Sequence, residues 1–200
     1  IDAMADLDED VLYAEVKASC EAGVPAADII NDLQTGLIEV GTRFASKEYF
    51  LSELIMSAEV FKEAQKLLGD TEASEETETI ATFVIGTVKD DIHDIGKNIV
   101  ISVLRANGFK VIDLGEDVPA EVFAKAAQEH KPEYIGMSCL LTTCFDSMKE
   151  AVSAVRAVDT NAKILIGGGP VDETVCKYVG ADHYCVDAYS AVTISKEGSV

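Results

Sequence analysis

The 200-residue chain is poor in positive charge: 16 Lys and Arg stand against 36 Asp and Glu, a formal net charge of −20. So few cations leave little to displace the counterions of a phosphate backbone, which argues against a nucleic-acid partner. No apolar run approaches the roughly 20 residues of a membrane span. No basic segment followed by an apolar core reads as a secretory signal. Cysteine is sparse and unpatterned: Cys20, Cys139, Cys144, Cys176 and Cys185 make an odd count without a Cys-x-x-Cys. That speaks against a disulfide framework and for a reducing compartment, so a cytoplasmic protein is expected. What is there, 48% hydrophobic and 26% charged residues, is ordinary globular composition.

Charge and periodicity divide the chain. Residues 1–79 carry 19 acids and 5 bases, residues 80–200 carry 17 and 11. Between them Asp70 to Thr79 holds five acids, no base and no large apolar residue, the composition of a solvated linker. Before it, Ile30, Leu33, Leu37, Val40 and Phe44 recur at helical spacing, as do Leu51, Leu54, Ile55, Ala58, Phe61 and Leu68. A weaker helical segment runs from Asp8 to Ala22, and Pro25 suits the first turn of the next. Residues 1–69 therefore read as a small helical bundle.

After the linker, apolar runs alternate with helical stretches. Strands are expected at 80–85, 110–114, 134–139, 162–166 and 181–185, and helices at 98–107, 119–130, 145–158, 171–179 and 188–195. Five such βα units over 80–200 predict an α/β fold: a flavodoxin-like or Rossmann-like five-stranded parallel sheet following the bundle. Ligands of such sheets bind beyond the carboxyl ends of the strands, where the strand order reverses. The loops at 86–97, 115–118, 140–144, 167–170 and 185–188 are the candidates.

The first loop, Lys89 to Lys97, holds one of three histidines, His93, among Asp90, Asp91 and Asp94. Asp91, two residues before His93, can accept the imidazole Nδ1–H, fix the tautomer and free Nε2 for a metal. Gly96 would let a large ligand approach the backbone. Read alone, the loop is equally a solvated acidic turn. The second, Ser138 to Cys144, offers small hydroxyls after a strand. The third, Gly167-Gly168-Gly169-Pro170, leaves room for a ligand passing the backbone or makes a tight turn. Together, a His–Asp pair, a hydroxyl loop and a glycine gap on one sheet edge describe a ligand with a metal at one end and a long polar tail.

These residues resemble the cobalamin-binding proteins, whose pattern is Asp-x-His-x-x-Gly, Ser-x-Leu after 41 residues, and Gly-Gly after 26 to 28. Here the pieces are Asp91/His93/Gly96, Ser138/Leu140 and Gly167/Gly168, separated by residues 97–137 and 141–166. Phe50 to Phe61 is similar to the cap helix in the cobalamin-binding region of methionine synthase and of small corrinoid proteins. The resemblance covers nearly the whole chain, and a bundle plus one such domain looks like the corrinoid protein of a methyltransferase system in a methanogen or anaerobic bacterium.

The resemblance implies that cobalamin, as methylcobalamin or another corrinoid, binds with its benzimidazole displaced and His93 as lower axial cobalt ligand, Asp91 behind it. Asp94, Ile95 and Gly96 would border the corrin. The nucleotide tail would lie near Ser138, Leu140, Thr142, Gly167 and Gly168, with Cys185, Val186 and Asp187 along a neighbouring edge, as also Leu114 to Asp117. Phe50 and Leu54, at i and i+4, would share a helix face over the upper corrin surface, or belong to the bundle core. The cobalt would cycle between Co(I) and methyl-Co(III). A substrate-specific methyltransferase would load it, and an acceptor methyltransferase would unload it to tetrahydrofolate or coenzyme M, with a reductive activase as a further partner. Such a protein is a cofactor-carrying subunit rather than a catalyst alone. The acidic linker would be the hinge on which the cap moves.

One departure stands out. Where methionine synthase places a serine that extends the His–Asp pair, this chain has Cys144, a poorer hydrogen-bond partner, so the relay ends sooner or passes to Thr143. Three other readings compete. A cobalamin-dependent mutase module or sensor shares the motif, but the bundle is unusual for the first and no output domain for the second is seen. A metal-dependent hydrolase would use Asp90, Asp91, His93 and Asp94, but would need a ligand from loops that offer hydroxyls and glycines. A flavodoxin-like nucleotide binder would favour glycines and hydroxyls in the first loop over acids.

Overall fold

The computed structural model describes residues 1–68, 79–158 and 160–197. Of the predicted linker at 70–79, all but Thr79 lies outside the described residues. Contacts group the chain into two units, residues 1–79 with 105–108, and residues 80–104 with 109–200.

Among the described residues of 1–79 there are four helices: α1 (Asp2–Ala5), α2 (Glu9–Glu21), α3 (Ala26–Ala45) and α4 (Leu51–Leu67). Asp8 starts α2, its carboxylate accepting the Val11 amide at 3.2 Å, which satisfies one orphan donor of the first turn. Pro25 is the residue before α3 rather than part of its first turn. The stripe Ile30, Leu33, Leu37 and Val40 is buried, as its period predicts. Met4, Leu12, Val16, Ala58, Phe61 and Ala64 complete the core with it. In α4 the pattern is only half kept: Leu54, Ala58 and Phe61 are buried, Leu51 and Ile55 exposed. Arg43 fixes the turn that leads into α4. It donates to the Ala5 carbonyl at 3.1 Å, to Asp6 at 2.8 Å and to the Tyr49 hydroxyl at 3.0 Å, and that hydroxyl donates to the same Ala5 carbonyl.

The second unit is a five-stranded sheet, all parallel, in the order β2-β1-β3-β4-β5. Its elements are β1 (Thr82–Thr87), α5 (Ile95–Ala106), β2 (Lys110–Asp113), α6 (Ala120–His130), β3 (Tyr134–Ser138), α7 (Phe145–Arg156), β4 (Lys163–Gly167), α8 (Glu173–Val179), β5 (His183–Cys185) and α9 (Ser190–Glu197), with a 3-10 turn over Thr142–Cys144. One face carries Val84, Ile135, Met137, Ile164 and Ile166 against Phe123, Met148, Val152 and Val175 of α6, α7 and α8. On the other, Phe83 stacks on Tyr134 with ring centroids 5.7 Å apart. The Tyr134 hydroxyl donates to the Ser195 carbonyl of α9 at 2.8 Å. No described helix is long and apolar enough to cross a membrane.

Several boundaries depart from the expected ones. Strands β1 and β4 run further toward the carboxyl edge, because Gly86 and Thr87 pair with Met137 and Ser138, and Ser138 with Gly167. Gly167 is thus the last residue of a strand and not part of the loop. Helix α5 begins at Ile95 rather than Asn98. A glycine at its second position costs little where the first-turn amides have no helical partner in any case.

Candidate functional site

The sheet reverses its order between β1 and β3, the first strand having β2 on one side and β3 on the other. The loops leaving these two strands are joined at the start: the Val88 amide donates to the Ser138 carbonyl at 3.0 Å. Asp91 lies in this junction with its side chain completely buried. Its Oδ1 accepts the His93 amide at 3.0 Å and faces the imidazole Nδ1 at 2.7 Å. Its Oδ2 accepts the amides of Leu140 at 2.6 Å and Leu141 at 3.2 Å. Burial by itself would raise this carboxyl, but the amides of Leu140, His93 and Leu141 and the imidazole outweigh it and hold it at about 2.

An ionised carboxylate can only accept, so the proton of the pair belongs on Nδ1 and the Nε2 lone pair is free. No described residue bonds to Nε2, and the His93 side chain is 47% exposed. The neighbouring loop is pinned as well. The Asp90 amide donates to Asp117 Oδ1 at 2.7 Å, and the Asp117 amide to the Asp91 carbonyl at 3.0 Å. Buried Lys97 of α5 reaches Asp113 at the end of β2 at 2.8 Å and Asn98 at 2.9 Å. The loop that carries His93 is therefore supported from three sides.

The other acids of the loop do not join His93. Asp94 Oδ2 accepts from the Asn98 amide group at 2.9 Å, and Asp90 Oδ2 from the Ser147 hydroxyl at 3.4 Å. Among the described residues no three His, Cys, Asp or Glu side chains gather to hold a metal ion. The hydrolase reading loses its metal site on this geometry. A metal held through a single imidazole must arrive already chelated, since a protein site for a bare ion needs three or four ligands.

The surroundings suit a broad apolar ligand. Ile92 and Ile95 flank His93 in sequence and are 67% and 77% exposed, and Val186 is 75% exposed. Leu140 and Leu141 are also exposed. Exposed apolar side chains at a strand-end site mark something that covers them. A Cβ on Gly96 would meet nothing within 4 Å, so this glycine leaves space that the chain itself does not fill.

The remaining predicted residues divide. Ser138 ends β3 level with Thr87 and Gly167, and exposed Thr142 opens the 3-10 turn. Gly168 has a packing task of its own. With φ +132°, a Cβ there would lie 1.9 Å from the Cys139 carbonyl oxygen, so the approach of that carbonyl requires a glycine. A Cβ on Gly167 would make ordinary contact with Cys185 at 3.6 Å. The Cys185 thiol, at the end of β5, is pushed up to about 12 by burial and by Asp187. Asp187 caps α9: its Oδ1 accepts the amides of Tyr189 at 3.0 Å and Ser190 at 2.7 Å, and the Ser190 hydroxyl. In the first unit Phe50 precedes α4 with an extended backbone and is 68% exposed, its amide donating to Glu53 at 2.9 Å. Leu54 is buried, so the two do not share an environment.

Neither Cys144 nor Thr143 extends the His–Asp pair. The Cys144 thiol donates to the Asp90 carbonyl at 3.4 Å, and the hydroxyl of Thr143 lies 3.9 Å from the Cys144 sulfur. The groups that complete Asp91 are the two leucine amides, which no side-chain pattern announces. Cys139 joins this cluster without a motif to mark it. Its buried thiol lies 3.0 Å from the Leu141 carbonyl, and burial, together with the charge of Asp91, pushes it up to about 12.

Two family models, each described as a B12 binding domain, match the chain, one over residues 81–192 and the other over 1–68. The chain belongs to the B12-binding corrinoid proteins. It is 34% identical over 199 residues to dimethylamine corrinoid protein 1 of Methanosarcina mazei, covering 98% of this chain and 92% of that one. It superposes on a cobalamin-binding protein of Desulfitobacterium hafniense with a TM-score of 0.84 and 38% identity, covering 100% and 96% of the two chains. A chain of the methanol:cobalamin methyltransferase complex MtaBC of Methanosarcina barkeri matches with a TM-score of 0.83 and 31% identity, over 99% of this chain and 77% of that one. The fold and the cobalamin-binding character expected from the sequence stand, and the lone imidazole amid exposed aliphatic side chains fits that cofactor.

Proposed function

We propose that this corrinoid protein holds cobalamin through His93 Nε2 as the lower axial ligand, with the cofactor's own benzimidazole displaced, and that it works as a methyl carrier. The observation that carries the reading is the Asp91–His93 contact at 2.7 Å, made by a carboxylate held at about 2. The anion keeps the imidazole proton on Nδ1 and raises the basicity of Nε2. Its other oxygen is held by the Leu140 and Leu141 amides, so the ring is aimed before any ligand arrives. Gly96 and the exposed Ile92, Ile95 and Val186 accommodate the macrocycle and keep water from its lower side. Bound cobalamin would supply the cobalt as the methyl-carrying centre, and His93, Asp91 and the two leucine amides would hold it in place.

Ser138, Leu140, Thr142, Gly167, Cys185, Val186 and Asp187 are assigned to the edge along which the nucleotide tail runs, on their place at the carboxyl ends of β3, β4 and β5. The partners are a substrate-specific methyltransferase and a second one that passes the methyl group to tetrahydrofolate or coenzyme M, with a reductive activase. The names of the dimethylamine and methanol relatives favour this role over a mutase module or a sensor. The five free cysteines suit a reducing cytoplasm.

Electron paramagnetic resonance of the cob(II)alamin-loaded protein tests the ligand. Nitrogen hyperfine structure from an ¹⁵N-labelled histidine is expected in the wild type and its loss in His93→Ala. Identical spectra overturn the assignment.

A further inference from the structure

Asp91 is gripped from the β3 side by two backbone amides, and a backbone grip is only as good as the turn that aims it. Residues 139–141 form that turn. Its amide end is fixed to β4: the Cys139 amide donates to the Gly167 carbonyl at 3.0 Å, and Gly168 makes room for the Cys139 carbonyl. Its far end is held twice at the Leu141 carbonyl, by the Cys144 amide at 2.9 Å and by the buried Cys139 thiol at 3.0 Å. Leu141 is the residue whose amide makes the longer of the two bonds to Asp91, 3.2 Å against 2.6 Å for Leu140. The second buried thiol of the segment, Cys144, is directed to the Asp90 carbonyl instead.

We propose that Cys139 is a positioning residue for the axial histidine: its thiol, by holding the Leu141 carbonyl, aims the Leu140 and Leu141 amides at Asp91 and so sets the orientation and donor strength of His93 toward cobalt. The inference rests on the reading of His93 as ligand. It moves the third member of the His–Asp arrangement from the hydroxyl or thiol at position 144, five residues back along the chain, where the thiol acts through the backbone of the turn beside its own interaction with Asp91.

The experiment uses the full chain in two forms. In the cofactor-free protein, amide exchange at Leu140 and Leu141 is followed by nuclear magnetic resonance. Cys139→Ala is expected to speed both by about tenfold, the effect of one buried hydrogen bond. In the protein loaded with cob(II)alamin, paramagnetic resonance gives the ratio of histidine-ligated to unligated cobalt. Loss of an outer partner of a ligating imidazole weakens metal binding about 10- to 100-fold, and Cys139, one contact further out, is expected to lower that ratio about threefold to tenfold. Cys139→Ser restores both readings, because a hydroxyl makes the same bond. Cys176→Ala, which empties an equally small buried site in α8, leaves both unchanged. Wild-type behaviour in Cys139→Ala overturns the proposal, as does an equal loss in Cys176→Ala, or a loss in Cys144→Ala with none in Cys139→Ala. Should the wild type show no nitrogen hyperfine structure, the ligand reading falls and the proposed effect on cobalt falls with it.

Discussion

Gly168 lies against the Cys139 carbonyl so closely that a methyl group on it would sit 1.9 Å from the oxygen. The contact holds the loop leaving β4 onto the loop leaving β3. Among the glycines of the cobalamin pattern it is the one required by the protein's own packing, whereas Gly96 borders open space and Gly167 an ordinary contact.

Alanine at these three positions should therefore behave in three ways. Gly168→Ala combines a clash with backbone and a positive φ, and is expected to cost about 3 kcal/mol or more of stability. Gly167→Ala is expected to stay within about 1 kcal/mol of the wild type. Gly96→Ala, in the first turn of α5, is expected to hold or gain stability by about 0.5 kcal/mol while cobalamin uptake falls, because the added methyl enters the open space proposed for the macrocycle. Urea unfolding of the cofactor-free variants and spectroscopic titration with cobalamin give the two readings. Undiminished uptake by Gly96→Ala would remove the assignment of that space.

Asp91→Ala takes the acceptor from three amides and the imidazole at once. A cost of about 2–4 kcal/mol is expected, with cobalamin retention lowered about 10-fold or more. Equilibrium unfolding and the cobalamin released on gel filtration measure the two.

The same carboxylate gives the protein an acid dependence of definite sign. Asp91 is held at about 2 against an ordinary 3.8, so the folded state binds its proton less readily than the unfolded one. Its contribution, about 2 kcal/mol, is complete above about pH 4 and lost as pH falls toward 2. Asp182 is also lowered, by the Ile164 amide and Arg156, and adds in the same direction. Unfolding free energy measured between pH 5 and 2 should fall less steeply in Asp91→Asn than in the wild type.

Thiol chemistry should separate the cysteines by site. Cys20 is exposed, Cys139 and Cys144 are buried, and Cys139 and Cys185 are pushed up to about 12. Iodoacetamide at pH 8 is expected to label Cys20 first and to reach Cys139 only on unfolding, as followed by mass spectrometry. Both raised thiols are neutral in the fold. The unfolded chain ionises above about pH 9, so their share of stability declines from there toward pH 12. Labelling of Cys139 as fast as Cys20 would contradict the burial.

What could be read in advance followed from local spacing. His93 and Asp91 stand two residues apart, and their contact needs only the turn between them. The buried stripe of α3 and the alternation that built the sheet are likewise properties of short windows. The Leu140 and Leu141 amides could not be foreseen, because every residue but proline has an N–H and only folding brings these two to a carboxylate some fifty positions away. The role of Gly168 depends on a neighbour in another loop. The spacing of Phe50 to Leu54 predicts a shared helix face, but the Phe50 amide donates to the Glu53 carboxylate and its backbone is extended, so the helix begins one residue after it. The four residues of α1 are too few to show a period at all.

Asp91 spends one oxygen on each side of the place where the sheet changes direction, His93 on one and the β3 loop on the other. The histidine is thus moored to the crossing itself. Turning the ring away would break its bond to a carboxylate that the β3 loop holds by two further amides.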